Sequence, residues 1–359
     1  MDVCGENEAM AGSPIDIVIF APLAPILGVL LFWFIQLLFI ESQKYFLAQL
    51  NKNHEPFCRF TNFIGIFFQT ICHALGYTVT KHGISDFYIS VHYGKVAPKK
   101  EKTGVFKWLS NGFLFLGPFF VPPFLLYCCL FFLMNEGFLI ITPLEFLEIK
   151  YTFAGQLSTF GASLYSFSIQ FFLFLGNIDL MHPAHFGFFL LFILLGLGIR
   201  PSYIGEKTLK KVDIFYDLKN IRYKLLHKPL YIILFFLSAY IFFYISVLFD
   251  LNWYVSLFSI FGIFSIIAIT SLLFAHGLIF FIKLTDRIPG FYRIISLLLF
   301  PISYVSFRII FFIIPITNIP LISLGLSILL TSGIVVFFLH QLTNTFKSRK
   351  MMKSRNKNK

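Results

Sequence analysis

Eight separate runs of mostly apolar residues dominate this chain, and most of them reach the ~20 residues a helix needs to cross roughly 30 Å of hydrocarbon. They lie at residues 17–40, 62–79, 108–134, 152–176, 229–249, 253–283, 293–314 and 319–340. Of the 359 residues, 57% are hydrophobic and 13% charged, against roughly 45–50% and 25% in soluble globular domains. The pattern predicts an all-α polytopic membrane protein of about eight transmembrane helices, with the lipid bilayer as its first partner. Phe supplies 51 residues spread over nearly every run, which fits lipid-facing filling better than an aromatic cage. A ninth run, 186–199, is too short to cross and directly follows His182 and Pro183. It reads as a broken half-helix.

The net charge of +12 is concentrated in three places: Lys81 to Lys107, Arg200 to Lys228 and Lys347 to Lys359. Basic residues beside apolar spans are the cytoplasmic signature of multi-pass proteins, whereas a nucleic-acid binder spreads them over a folded polar face. The reading is therefore topology and anionic lipid, with no nucleic acid. With one crossing between Tyr151 and Arg200, all three basic segments fall on one side, taken as cytoplasmic. The acidic or uncharged loops 135–148, 250–252 and 315–318 fall on the other. The tail before residue 17 is acidic, so the charge pattern orients the later spans and not the first two. That tail has no Lys or Arg and so lacks the basic start of a signal peptide. Cys4, Cys58, Cys72, Cys128 and Cys129 show no CxxC spacing, so neither a disulfide framework nor a zinc knuckle is expected.

Two polar pieces interrupt the spans. From Phe87 to Val96 apolar residues alternate with polar ones, predicting a short strand or hairpin half. Leu209, Val212, Phe215, Tyr216, Ile221 and Leu225 recur among lysines, predicting a basic amphipathic surface helix over 201–228. The C-terminal 341–359 reads as a disordered basic tail near anionic lipid.

Ionisable side chains at bilayer depth are costly and therefore informative. Those here are His73, Asp179, His182, His185, His276 and Arg308. Asp179, His182 and His185 share the segment from Gly176 to Gly187, where Pro183 and the glycines interrupt the helix. Irregular backbone of this kind is tolerated only where it is buried in protein or lines a polar cavity. Imidazoles and a carboxylate suit zinc; the same groups equally satisfy one another and the broken backbone.

The order of these features resembles the site-2-protease-like intramembrane zinc metalloproteases over residues 60–200. That family has a His-Glu-x-x-His helix continuing Ala-Leu, a membrane-associated β-segment, a Gly-Pro-bearing span, and an Asn-x-x-Pro-x-x-x-x-Asp-Gly motif carrying the third zinc ligand. Here stand His73-Ala74-Leu75, the strand near 87–96, Leu116-Gly117-Pro118, and Asn177 eight residues before His185. The resemblance implies a site-2-protease-like core. It also places Gln69 at the first zinc histidine, Thr70 at the catalytic glutamate, Leu180 at the motif proline, His185 at the ligand aspartate and Phe186 at the following glycine. Thr70 cannot take a proton from zinc-bound water. The site is thus either degenerate, or rebuilt around His73, His182 and His185 with Asp179 as ligand, orienter or base, in which case zinc is the expected cofactor.

The expected segments are 1–59 with the first span, the 60–200 core, the 201–228 surface helix, a 229–340 four-helix membrane domain and the 341–359 tail. The function implied is a metalloprotease homologue without standard proteolysis that binds a membrane-protein partner or substrate helix. The competing class is a transporter or channel, with the His/Asp cluster as an ion or proton relay and His276 and Arg308 on the pathway. A third class is a lipid-modifying or membrane-assembly factor using the basic helix. His82 and His92 are expected to face solvent, and Arg308 to snorkel towards a helix end or to meet His276.

Overall fold

The computed structural model describes residues 13–50, 53–91, 94–100, 105–133, 151–198, 229–288, 291–313 and 319–357. A π-helical turn, Asp16–Phe20, leads into α1 (Leu23–Leu50); then follow α2 (Glu55–Val79), β1 (Ile84–Ile89), β2 (Gly94–Pro98) and α3 (Val105–Leu133). The rest is helical: α4 (Phe153–Gly176), α5 (Pro183–Gly198), α6 (Pro229–Leu248), α7 (Trp253–Thr285), α8 (Phe291–Ile313) and α9 (Ile319–Lys357). Over their described residues the eight apolar runs are helical. Five helices among the described residues have the length and apolarity to cross a membrane: Asp16–Leu50, Phe153–Gly176, Trp253–Thr285, Phe291–Ile313 and Ile319–Gln341. Gly117–Leu133, Pro183–Gly198 and Ile232–Leu248 are shorter apolar helices. With 16 residues, α5 is about 24 Å long, below the ~30 Å of a full crossing. The expected surface helix over 201–228 and loop 135–148 lie outside the described residues. The backbone of α9 stays helical through Lys357, where the basic composition suggested an unstructured tail.

The chain forms two compact units, Met1–Phe171 with Leu190–Ala275, and Phe172–Phe189 with His276–Lys359. The four helices from Pro229 onward are thus divided between the units.

In the first unit the buried face of α1 recurs every three to four residues, through Gln36, Leu37, Ile40, Glu41, Lys44 and Leu47, as a helix packed along one stripe requires. Leu37 and Ile40 join Phe119, Ala268 and Leu272 in a core against which Trp33 and Phe120 pack. The Trp33 and Phe119 rings meet edge to face at 5.9 Å, the arrangement their quadrupoles favour. Carbonyls at the entry to α1 have no water to turn to inside a bilayer and need protein donors. Tyr240 and Tyr244 donate to the Ile19 and Val18 carbonyl oxygens at 2.7 Å each, and the buried Tyr254 donates to that of Pro22.

The second unit holds the end of α4, the break 177–182, the start of α5, and α8 with α9. Tyr292 packs on Phe338 at 5.3 Å, and Gly176 lies beside Leu321.

Candidate functional site

The first candidate region is α2 with its hairpin. Helix α2 starts with Glu55 in its first turn and Pro56 beside it, both favoured at a helix N-terminus. It stops at Thr80, after which Lys81 (φ 55°) and Gly83 (φ 67°) take left-handed backbone that reverses the chain. The His82 amide reaches back to the Tyr77 carbonyl at 2.9 Å, a helix-ending bond of the Schellman type. Thr80 donates to the Gly76 carbonyl and lies 2.6 Å from His82 Nδ1. His82 is therefore buried at this turn, not solvent-facing as its polarity suggested. His92 lies outside the described residues.

The alternation near 87–96, predicted as a short strand or hairpin half, resolves into two antiparallel strands that pair Phe87 with Val96 and Tyr88 with Lys95. This hairpin is seated on α2. Asn62 donates to the Val91 carbonyl at 3.1 Å, and a Cβ built on Gly94 would collide with Thr70 Oγ1 and come 3.0 Å from Ile66. Residues 62, 66, 69, 70 and 73 fall within an arc of about 100° on α2, so the motif positions share the hairpin-bearing face. Thr70 itself is buried, and its hydroxyl donates to the Ile66 carbonyl at 2.7 Å. Gln69 and His73 are half-buried. Gly117, from the Gly-Pro pair of α3, rests against Cys72, where a Cβ would come within 2.9 Å of the cysteine Cβ. Glycine there lets α2 and α3 approach closely.

The second region is the break between α4 and α5. Asn177 ends α4, its side chain donating to the Leu173 carbonyl at 3.0 Å. Four consecutive backbone N–H groups then find acceptors. Asp179 N–H donates to His185 Nδ1 (3.2 Å), Leu180 N–H to the Tyr304 hydroxyl (3.0 Å), Met181 N–H to Asp179 Oδ1 (3.0 Å) and His182 N–H to the Asp179 carbonyl (3.0 Å). Arg308 Nε donates to Asp179 Oδ1 at 3.3 Å, and its Nη2 forms an ion pair with Oδ2. Tyr304 adds a bond to Oδ1 at 3.2 Å. Arg308, expected to snorkel or to meet His276, is instead engaged by Asp179. His276 is half-buried on α7.

Among the described residues no group of three or more His, Cys, Asp or Glu is placed to hold a metal. The donor chemistry at the break also runs against zinc. A zinc-bound histidine typically donates its second ring N–H to an acceptor. His185 accepts at Nδ1 instead, which in the neutral ring puts the hydrogen on Nε2 and makes that nitrogen a donor. Its ring lies 4.8 Å from that of His182, but both Asp179 oxygens already hold donors. The residues as arranged do not fit a zinc centre built on Asp179 and His185.

Tyr304, almost fully buried, was not singled out by its sequence context; the signal was its place four residues before Arg308 on one helix face. Also missed was an ion pair in α1, Lys44 to Glu41 at 3.3 Å with side-chain exposures of 7% and 1%. Beside it Gln36 and Gln43 donate to the Phe119 and Gly196 carbonyls, each at 3.2 Å. Comparison with protein-family profiles, curated proteins and solved structures finds no match to this chain.

Proposed function

We infer that this integral membrane protein has a metalloprotease-like front half that no longer cleaves peptide bonds and instead holds a segment of a membrane-protein partner at the hairpin. The observation that carries the reading is Thr70: where the family resemblance calls for a general base, this chain has a hydroxyl bonded to its own helix and covered by Gly94. Neither feature leaves a group to activate water. Among the described residues the hairpin has two strands, and the edge of such a sheet is a surface on which an extended segment can add as a further strand. Phe87 and Tyr88 are exposed on β1 and supply apolar contact for a lipid-derived partner.

The test places a photoreactive residue at Tyr88, and in a second variant at the exposed Ile169 of α4. Each protein is reconstituted in lipid with zinc and a labelled single-span polypeptide. Cross-linking at 88 over 169 without cleavage products is the expected result. Cleavage would refute loss of proteolysis, and equal labelling at both positions would refute the hairpin as the binding element.

A further inference from the structure

We propose that the turn closing α2 is a headgroup site for anionic phospholipid, in which Lys81, Lys99 and Lys100 hold the phosphate. The site stands on the geometry of this turn and is independent of the protease-like reading.

The turn is fixed by the protein itself. Thr80 and His82 are buried, with Thr80 Oγ1 2.6 Å from His82 Nδ1, and the Tyr77 and His82 rings meet at 5.9 Å. Beyond the hairpin the two chain segments stay paired: Lys99 N–H donates to the Gly83 carbonyl at 3.1 Å and Lys100 N–H to that of His82 at 3.2 Å. This pairing brings Lys99 and Lys100 to the turn that carries Lys81. A Cβ built on Gly83 would lie 3.4 Å from that of Lys99, so the Lys99 side chain leaves the backbone beside the glycine. All three lysines are exposed. Asp86 is the one acidic residue from Thr80 to Lys100, and Lys95 holds it at 2.7 Å. No ion pair among the described residues takes up the other three lysines.

Three like charges gathered on one fixed turn repel one another, and an anion held among them removes that repulsion. The surroundings choose the source of the anion. Leu75 and Val79, in the last turns of α2, are 44% and 55% exposed, and Ile84, the first residue of β1, is 37% exposed. Lysines beside exposed aliphatic side chains mark a surface at the boundary of headgroups and acyl chains. A phospholipid answers both parts: its phosphate meets the ammonium groups and its chains cover Leu75, Val79 and Ile84. Inorganic phosphate leaves those aliphatic side chains uncovered. A lysine ammonium is a compact charge on a flexible stem, suited to following a mobile headgroup. The site holds the hairpin, and any segment bound there, at the level of the headgroups.

The experiment titrates the purified full-length chain in neutral detergent with fluorescent phosphatidylglycerol and follows Tm in parallel, with phosphatidylcholine, inorganic phosphate and poly-glutamate as competitors. Four proteins are compared. Beside wild type stand a neutral variant, Lys81→Asn with Lys99→Gln and Lys100→Gln, in which Asn tolerates the left-handed backbone, and a variant with the same three lysines changed to Arg. The fourth, Lys350→Gln with Lys353→Gln and Lys357→Gln, removes the same charge elsewhere. Phosphatidylglycerol should bind wild type and raise its Tm, and the neutral variant should bind it about a hundredfold more weakly. The arginine and tail variants should bind it as wild type does, and phosphatidylcholine should not compete. Unchanged affinity in the neutral variant, or equal losses in the neutral and tail variants, would overturn the proposal. Competition by inorganic phosphate or poly-glutamate as strong as that by unlabelled phosphatidylglycerol would also overturn it, in favour of a free anion or an acidic protein. Should the neutral variant fail to fold, Lys99→Gln with Lys100→Gln should still weaken binding by about tenfold or more; unchanged binding there overturns it.

Discussion

Two of the ion pairs among the described residues, Glu41 with Lys44 and Asp179 with Arg308, differ in almost every respect. Glu41 and Lys44 sit three residues apart on α1 and are nearly inaccessible, whereas Asp179 and Arg308 are separated by 129 positions and keep side-chain exposures of 24% and 17%. The first pair is formed by helix geometry alone, since residues three apart are neighbours on one face. It neutralises charges on a stripe that α1 buries. The second pair exists only when the break and α8 meet, so it ties distant chain segments together and reports on tertiary structure. Complete burial makes the local pair the more expensive to break, and sequence separation makes the distant pair the more informative.

This ordering can be broken experimentally. Lys44→Met removes the cation 3.3 Å from the buried Glu41 and should cost about 3–5 kcal/mol, measured by denaturant unfolding in detergent. Glu41→Gln with Lys44→Met should recover most of that loss. Asp179→Asn, at a partly solvated pair, should cost less, about 1–3 kcal/mol; a loss equal to that of Lys44→Met would show that exposure does not rank the two. Gly94→Ala forces a methyl group into Thr70 and should cost about 1 kcal/mol or somewhat more, read by thermal unfolding. It should cost far less if Thr70 is also changed to Ala.

The smallest expected effect is at the loop pair Tyr151 and Asp250, joined by a hydrogen bond of 2.8 Å. Burial first, and then Asp250, pushes the Tyr151 phenol up to about 12 from its ordinary value near 10. A raised value in the folded state favours the protonated form. The stability it brings is complete below pH about 10 and is lost as the pH rises through about 12. Stability curves of wild type and Tyr151→Phe should therefore differ in slope only over that interval, and identical slopes would remove Tyr151 from the account.

The helices were legible because twenty-odd apolar residues in a row leave the backbone few alternatives in lipid. The break at 177–182 was legible too, since Pro183 and its neighbouring glycines cannot continue a regular helix. The hairpin was half legible: alternation marks extended backbone near 87–96 but does not show that the first strand ends at Ile89 and a second begins at Gly94. Glu41 and Lys44 escaped because the apolar run stops at Ile40, and polarity looked like an exit from the membrane rather than burial in protein. The partner of Arg308 escaped for a different reason. No periodicity links position 179 to position 308, and a carboxylate beside two histidines looks the same in sequence whether it awaits a metal or an arginine. His82 shows the same blind spot at short range, its burial depending on a turn that only Lys81 and Gly83 in left-handed backbone produce.

Helix α5 has a consequence for the membrane itself. Its 16 residues fall about 6 Å short of an average hydrocarbon slab, and Met181, His182, Pro183 and Ala184 at its start are exposed. Where lipid has to match a helix this short, thinning the hydrocarbon costs fractions of a kcal/mol per Å. Membranes of thin hydrocarbon should therefore accept the protein more readily than thick, sterol-rich ones.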